Sequence, residues 1–119
     1  MKKILIVDDS TYICDVLKKI LDQGQFVFLI AKEGQEALDI FKKELPDLVL
    51  LDILMPKMDG ISALKQMKNI KPEFKVIIIS AVEQDEIESQ IAQYNVEGYF
   101  TKPFDINIVR KQVNEVLGI

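Results

Sequence analysis

Short apolar runs alternate with longer amphipathic stretches along the chain. The apolar runs lie near residues 3–7, 26–31, 48–51, 75–79 and 97–101, and stretches with helical periodicity lie near 11–22, 35–43, 61–69, 84–94 and 106–117. Runs of this length are typical of strands, and apolar positions that recur every three or four residues are typical of helices. The alternation predicts a doubly wound α/β domain, in which a five-stranded parallel sheet carries helices on both faces.

Three of these runs should form the centre of the sheet. Residues 4–7, 48–51 and 76–79 are apolar at every position. A parallel strand that helices cover on both faces has no side chains in contact with water, so a continuous apolar run predicts a central strand. Near the end of the chain, Asp105 directly precedes the last predicted helix and is placed to cap it.

Polar residues of particular types follow four of the strands. Asp8 and Asp9 follow the first run, Asp52 the third, Ser80 the fourth and Lys102 the fifth. Because the carboxyl ends of parallel strands meet at one edge of the sheet, we expect these side chains to lie together. Carboxylates at close range repel each other unless a cation lies among them. The sequence therefore predicts a site for a hard divalent ion such as Mg²⁺.

The residue types at this edge suit phosphoryl transfer. A carboxylate placed like that of Asp52 can attack phosphorus to give an acyl phosphate. Asp8 and Asp9 would hold the metal. Ser80 could donate a hydrogen bond to one phosphoryl oxygen, and Lys102 could pair with another. Structural roles are also open, because an acidic pair can cap a helix, a serine can end a strand and a lysine can neutralise a carboxylate.

Composition narrows the classes of function. The 119 residues are 49% apolar, which suits one domain spanning residues 1–119. The net charge of −4 comes without a stripe of lysine and arginine, so direct binding to nucleic acid is not expected. The chain contains no histidine. That absence excludes Ser-His-Asp and Cys-His nucleophile pairs and His-ligated zinc.

The N-terminus and the cysteine content indicate a compartment. The first apolar segment is too short for a signal peptide or a membrane span. Cys14 is the single cysteine and cannot form an internal disulfide, which suits a reducing compartment. We therefore expect a soluble cytoplasmic protein that does not bind membranes.

Four ordered motifs carry a resemblance to a known family. They are IVDDS at residues 6–10, DILMPKMDG at 52–60, SA at 80–81 and YFTKPF at 99–104. With these motifs the chain resembles the receiver domain of two-component response regulators over its whole length. The resemblance implies a flavodoxin-like sheet of order 2-1-3-4-5. It also implies that Asp52 accepts a phosphoryl group from a histidine kinase, in which case the donor imidazole belongs to the partner.

The resemblance also implies a set of metal ligands. Asp9, Asp52 and the main-chain carbonyl of Leu54 would ligate Mg²⁺. Asp8 would contribute through a water molecule. These assignments come from the matching motif positions and extend the carboxylate cluster that the strand pattern predicts.

Further roles follow from the same resemblance. Ser80 would move toward the phosphoryl group, and Lys102 would bind it. The Lys102–Pro103 peptide bond matches one that is cis in the family. Tyr99 matches an aromatic switch residue whose ring turns inward when the hydroxyl group on the fourth strand is drawn to phosphate.

Two surfaces are candidates for binding partners. In the first helix, Tyr12, Ile13 and Val16 add apolar surface that one buried face cannot cover entirely, so they are candidates for docking a histidine kinase or phosphotransfer protein. The fourth helix has only Ile87 and Ile91 facing inward, and a weakly packed helix is easy to shift. Together with the last strand and the fifth helix it would form the face that binds a downstream protein target. We expect a monomer.

Other readings of the motifs remain to be weighed. A metal-dependent hydrolase of the haloacid dehalogenase type would need a second acid at the position of Leu54. A flavin-binding module would have its phosphate repelled by Asp8 and Asp9. Within the resembling family, a single-domain chemotaxis or phosphorelay regulator is favoured because the last predicted helix ends with the chain. The alternative is a receiver from a longer regulator with a DNA-binding or enzymatic output domain.

Two apolar positions lead to a kinetic prediction. Leu54 and Val82 lie two residues beyond Asp52 and Ser80, where some members of the family carry an amide or acid that orients a hydrolytic water. We therefore expect the acyl phosphate to lose phosphate slowly when no partner assists. Following the phosphorylated mass after removal of the donor measures the lifetime. Complete unaided decay within seconds would contradict the prediction.

Overall fold

The computed structural model describes residues 1–55 and 59–119. These residues form β1 (Lys2–Val7), α1 (Thr11–Leu21), β2 (Phe26–Ala31), α2 (Gly34–Glu44), β3 (Leu48–Leu51), α3 (Gly60–Ile70), β4 (Lys75–Ser80), α4 (Gln84–Ile91), β5 (Gly98–Thr101) and α5 (Ile106–Leu117). Every strand pairing is parallel, and the strand order is β2-β1-β3-β4-β5. The doubly wound fold and its strand order are thus confirmed. The motif residues Pro56, Lys57 and Met58 lie outside the described residues.

Each face of the sheet has its own apolar core. Successive side chains of a strand point to opposite faces. In β1, Leu5 and Val7 belong to one core, and Ile4 and Ile6 belong to the other. The helical residues of the first core are Ala37, Leu38, Phe41, Ala63, Leu64, Met67 and Ile91. Those of the second core are Cys14, Leu17, Leu21, Val109, Val113 and Leu117. Strands β1, β3 and β4 are central, as their continuous apolar runs predicted.

Side-chain caps start three of the helices close to the carboxyl edge of the sheet. Ser10, Asp59 and Asp105 each accept a hydrogen bond from a main-chain N–H in the first turn of α1, α3 and α5. The predicted cap at Asp105 is therefore present. Such caps satisfy amide groups that have no partner within the helix. In the described part of the chain, no helix is both long enough and apolar enough to cross a membrane.

Helix α4 is shorter than the sequence predicts. The pattern indicated a helix over residues 84–94, but α4 ends at Ile91. Beyond that point Tyr94 and Val96 pack against the first core, and the main-chain N–H of Tyr94 donates to the carbonyl of Ile91 in a tight turn. Burying these two side chains takes the chain off the helical path. Ile91 is the one buried residue of α4, and Ile87 is half-buried, so the predicted weak packing of this helix is confirmed.

Leu45 ends α2 in an unfavourable backbone conformation. Its φ is 44° and its ψ is 64°, in the left-handed region, and its main-chain N–H donates to the carbonyl of Phe41. The residue is 48% exposed. A Cβ atom in the left-handed region crowds the following carbonyl oxygen, at a cost of roughly 1 kcal/mol or more. Leu45 thus carries strain that its side chain does not recover by full burial.

Replacing Leu45 tests this strain. Leu45→Gly and Leu45→Ala remove the same leucine contacts, but only glycine adopts the left-handed region without a steric penalty. We expect the free energy of unfolding of Leu45→Gly to exceed that of Leu45→Ala by about 1 kcal/mol, after allowing for the greater freedom of unfolded glycine. Urea denaturation gives both values. An alanine variant as stable as the glycine variant would contradict the prediction.

Candidate functional site

The polar residues predicted to meet do so at the carboxyl edge of the sheet. Hydrogen bonds of the sheet continue past the strands: the N–H of Asp8 donates to the carbonyl of Ala31 at 3.0 Å, and that of Asp52 to the carbonyl of Val7 at 2.9 Å. Carboxylate oxygens of Asp8, Asp9 and Asp52 lie within 4.8 Å of one another. Asp8 and Asp52 are buried, whereas Asp9 is exposed. The ends of β1 and β3 therefore concentrate negative charge in a partly closed site.

Lys102 bridges the two buried carboxylates. Its Nζ lies 2.7 Å from Oδ2 of Asp8 and 3.0 Å from Oδ2 of Asp52. The side chains of the two aspartates are 3% and 5% exposed, and that of Lys102 is 20% exposed. A hydrogen-bonded ammonium group at this range stabilises both negative charges. Lys102 thus supplies a fixed cation at the acidic edge.

The second oxygen of each buried carboxylate binds the backbone. Oδ1 of Asp8 accepts a hydrogen bond from the N–H of Ser10 at 2.9 Å, and Oδ1 of Asp52 accepts one from the N–H of Leu54 at 2.9 Å. Both bonds reach two residues along the chain, the pattern of an aspartate-centred turn. They orient the carboxylates and leave Oδ2 of each for Lys102. The main chain of Leu54 accordingly lies directly beside Asp52.

Burial and charge shift the pKa values at this edge. Burial raises the pKa of the Asp8 carboxyl group above its ordinary value, although the hydrogen bond from Lys102 opposes the shift. For Lys102, burial works against the charged form, but hydrogen bonds to Asp8 and Asp52 outweigh it and raise the pKa of the ammonium group. The lysine therefore stays protonated because its partners are carboxylates. Desolvation of the acids makes the site favourable for an additional cation.

The donor set fits a hard divalent metal ion. The acidic cluster could bind a metal, because it offers carboxylate oxygens from Asp8, Asp9 and Asp52 at mutually close range. In the described residues the cluster contains neither histidine nor cysteine ligands. Oxygen-only ligand sets favour Mg²⁺ or Ca²⁺ over zinc or copper. The residue types agree with the metal that the sequence analysis predicts.

Gly60 lets the loop after Asp52 pack closely on the start of α3. A Cβ atom at Gly60 would lie 2.4 Å from Cα of Ile53 and 2.5 Å from the carbonyl oxygen of Asp52. The N–H of Gly60 donates to the carbonyl of Ile53 at 3.0 Å. Any larger residue would push the Asp52 loop away. The sequence analysis did not identify this contact, although the Asp59-Gly60 pair belongs to one of its motifs.

Ser80 and Tyr99 are joined through the backbone of Val82. Ser80 is fully buried, and its Oγ accepts a hydrogen bond from the N–H of Val82 at 3.3 Å. The hydroxyl group of Tyr99 donates to the carbonyl oxygen of the same residue. Burial raises the pKa of the Tyr99 hydroxyl group, and the negative charge of Asp52 adds to the shift. The main chain of Val82 therefore connects the two predicted switch residues, which the sequence analysis did not foresee.

The segment that carries Lys102 has the predicted backbone geometry. The Lys102–Pro103 peptide bond is cis, as the resemblance implies. The N–H of Lys102 donates to the carbonyl of Ser80 at 2.8 Å, which continues the pairing of β4 with β5. The lysine therefore starts from the same edge as Ser80 and reaches across to Asp8 and Asp52.

The three residues of α1 that are predicted to dock a partner differ in their exposure. Tyr12 is 74% exposed, and Val16 is half-buried. Ile13 is also half-buried and packs against the second core, so it contributes less free surface than the sequence suggested. A shallow groove of about 520 Å³ lies on this helix and is lined by Tyr12, Asp15, Val16, Lys18, Lys19 and Asp22.

Cys14 lies in the second core and contacts the backbone of Asp8 at the acidic edge. It is 2% exposed, and its thiol donates to the carbonyl oxygen of Asp8 at 3.4 Å. Burial raises the pKa of this thiol to about 11, so the reactive thiolate form is suppressed. Cys14 therefore behaves as a core side chain that makes one weak polar contact. In the sequence, only its position one turn into α1 indicated this role.

Comparisons with known proteins identify the family. The model of the response regulator receiver domain matches residues 4–114. The chain is 40% identical to Sporulation initiation phosphotransferase F of Bacillus subtilis (strain 168), over 99% of this chain and 95% of that protein. It is 37% identical to Chemotaxis protein CheY of the same organism, over 98% of each. A solved CheY-like receiver domain protein from Methanospirillum hungatei JF-1 has a TM-score of 0.92 and 30% identity, covering 99% of this chain and 94% of that one.

The fold and the acidic edge define a signalling domain of two-component systems, a class whose members work with kinases, phosphotransfer proteins and targets. The chain belongs to the response regulator receiver domain family. The match along residues 4–114 confirms the resemblance seen in the motifs. It decides against the hydrolase and flavin-binding alternatives.

Removing the bridging cation should expose the repulsion between the acids. In Lys102→Met the two buried carboxylates lose their partner, and we expect the free energy of unfolding to fall by about 2–3 kcal/mol at neutral pH. Adding Asp8→Asn to this variant removes one uncompensated charge and should recover part of the loss. Urea denaturation in the absence of divalent ions measures both effects. Lys18→Met, an exposed lysine of α1, is the control and should change little.

A double variant no more stable than Lys102→Met alone would contradict this electrostatic account.

Proposed function

We propose that the chain accepts a phosphoryl group on Asp52 from a histidine kinase or phosphotransfer protein, in a Mg²⁺-dependent reaction. The observation that carries the proposal is the position of the Asp52 carboxylate. It is nearly enclosed, it follows a central strand, and it lies between the ammonium group of Lys102 and two further acids. The domain would then act as a phosphoacceptor and switch, with no substrate turnover beyond its own phosphorylation and dephosphorylation.

The geometry of Asp52 suits a nucleophile. One oxygen accepts a hydrogen bond from the N–H of Leu54, which fixes the orientation of the carboxylate plane. The other oxygen accepts a hydrogen bond from Lys102. In the proposed step an Asp52 oxygen forms a bond to phosphorus while the bond from phosphorus to the donor imidazole nitrogen breaks. The nitrogen retains the electron pair of that bond. Lys102 would then exchange part of its contact with Asp52 for a phosphoryl oxygen.

Asp9, Asp52 and the carbonyl oxygen of Leu54 would hold Mg²⁺, and Asp8 would help through water. Bound there, the ion would offset negative charge on the transferring phosphoryl oxygens. Asp8 would be kept in place by the hydrogen bond that it accepts from the N–H of Ser10, the residue whose side chain caps α1. Lys102 would remain the positive charge that the chain itself supplies at the site.

Phosphorylation would be transmitted through Ser80. The modification adds about two negative charges beside Asp8 and Lys102. If the Ser80 side chain moves toward the phosphoryl group to donate to it, the 3.3 Å hydrogen bond that its Oγ accepts from the N–H of Val82 would lengthen or break. Because the carbonyl of Val82 also binds the Tyr99 hydroxyl group, the change would reach Tyr99 and the start of α4. Phosphate would thereby favour one of two arrangements by differential contacts.

Partners are assigned to two faces. The phosphodonor would dock on the surface of α1 that carries Tyr12 and Val16, with Ile13 beneath them, next to the acidic edge. A downstream protein target would bind the face formed by α4, β5 and α5. The domain would act as a cytoplasmic monomer.

A single-domain regulator is our preferred reading. The chain covers 95% of the sporulation phosphotransferase and 98% of the chemotaxis protein, so these relatives consist largely of the same domain. The alternative is a receiver within a longer regulator that carries a DNA-binding or enzymatic output domain. Reading the complete open reading frame distinguishes the two.

Intact mass spectrometry tests the phosphoacceptor. After incubation with acetyl phosphate and Mg²⁺, we expect a gain of about 80 Da, the mass of one phosphoryl group. Asp52→Asn should show no gain, because its amide is not a nucleophile. Addition of EDTA should also abolish the gain.

Two controls sharpen the result. Asp47→Asn changes an exposed acid at the opposite edge of the sheet and should be phosphorylated like the wild type. A gain of mass that persists in Asp52→Asn would place the phosphoryl group elsewhere and contradict the proposal.

A further inference from the structure

Lys68, in the last turn of α3, is a half-buried lysine that the proposed function does not use. Its Nζ donates to the main-chain carbonyl oxygens of Phe74 at 3.0 Å and Asn95 at 3.1 Å, and it lies 3.5 Å from that of Pro72. The same ammonium group lies 4.6 Å from the centroid of the Phe74 ring. In the described part of the chain no carboxylate forms an ion pair with it. The charge is bound by backbone carbonyl groups and a ring.

The contacts of Lys68 connect the well-packed first core to the less buried segment between α4 and β5. Phe74 is 3% exposed, and its ring packs edge-on against that of Phe41 at 4.9 Å, so the α3 side of the contact belongs to the first core. Asn95 lies in the segment between α4 and β5. Burial lowers the pKa of the Lys68 ammonium group, although the nearby negative charges of Glu97 and Glu73 oppose the shift.

Other contacts strengthen the C-terminal end of α4. Ile91 is 2% exposed, and the N–H of Tyr94 donates to its carbonyl at 2.9 Å. Two residues after Asn95, the N–H of Glu97 donates to the carbonyl of Val76 at 2.8 Å. Lys68 adds the side-chain contact that ties this end of α4 to α3.

The N-terminal end of α4 is held differently. Its capping residue Glu83 makes no side-chain cap, and residues 83–86 are all exposed. The preceding residue, Val82, binds Ser80 and Tyr99 through its backbone. This end of the helix is therefore connected chiefly to the two groups that would respond to phosphorylation.

We propose that Lys68 is a positioning residue that holds the C-terminal end of α4, so that α4 pivots about this end when its N-terminal end moves. The movement rests on the proposed function, whereas the anchoring is a property of the unphosphorylated domain. The contact between Lys68 and Asn95 would confine rearrangement to the half of α4 nearest Ser80. It would thereby shape the surface that α4 presents to a target.

Hydrogen exchange of the unphosphorylated protein tests the anchor. Lys68→Met keeps the aliphatic stem over the Phe74 ring but has no donors. We expect the amides of Ala92, Tyr94 and Glu97 to exchange about tenfold faster in this variant, the size expected for losing hydrogen bonds from a charged donor. The amide of Asp52, in the central sheet, reports global unfolding, and the acceleration at the three amides must exceed any change there.

Two further variants separate anchoring from other effects. Lys65→Met alters an exposed lysine one turn earlier on α3 and should leave the three exchange rates unchanged. Lys68→Arg keeps a charged donor and should restore most of the protection. If Lys68→Met exchanges like the wild type at these amides, or if Lys65→Met matches Lys68→Met, the anchor does not exist.

Amide chemical shifts before and after phosphorylation by acetyl phosphate with Mg²⁺ test the pivot. In the wild type the changes should be large over residues 82–87 and small over 91–97, whereas in Lys68→Met they should extend through 91–97. Equal changes at both ends of α4 in the wild type would overturn the pivot. Failure to gain the phosphoryl mass would contradict the proposed function instead, and the exchange rates of the unphosphorylated protein would still decide the anchor.

Discussion

The ammonium group of Lys102 lies between two buried carboxylates that come from different strands, and the polar edge of the sheet is arranged around this contact. Its Nζ is 2.7 Å from Asp8 and 3.0 Å from Asp52, which follow β1 and β3, while Lys102 itself follows β5. Removing three charges from water costs several kcal/mol for each ion, so such a cluster persists only when its members bind one another closely. The second oxygen of each carboxylate binds a main-chain N–H, which adds to the compensation.

This cluster also explains why the site can respond to a change of charge. Burial raises the pKa of Asp8, and the hydrogen bonds from Lys102 and from the N–H of Ser10 oppose the shift. A new dianionic group at Asp52 would compete for the same lysine. Ser80 and the backbone of Val82 are joined by a hydrogen bond and would be the first groups to respond in the proposed switch. The close-packed sheet beneath them would resist deformation, so the response would pass toward Tyr99 and α4.

Helix α4 is the element best placed to express that response. Its inward face is limited to Ile91 and the half-buried Ile87, in contrast to α2 and α3, which bury three or more apolar side chains each. Low burial leaves the position of a helix to a small number of polar contacts. In α4 these contacts differ between the two ends: Val82 binds Ser80 and Tyr99 just before one end, and Lys68 binds the carbonyl of Asn95 beyond the other.

Local sequence pattern predicted the strands, the helices other than the end of α4, and the residues at the carboxyl edge. Short apolar runs such as 48–51 are typical of strands covered on both faces. The positions where those strands end bring Asp8, Asp9, Asp52, Ser80 and Lys102 to one edge. The motif resemblance added the strand order and the cis bond before Pro103.

Which groups touch depends on how the folded elements are arranged in space. The contact of Lys102 with Asp8 spans 94 residues of chain, that of Lys68 with Asn95 spans 27, and α4 ends early because Tyr94 and Val96 pack on a core built from other elements. The close approach of Gly60 to the backbone of Asp52 likewise depends on how the following loop folds back. Such contacts join segments distant in sequence, and no local pattern encodes the distance or direction at which folded elements meet.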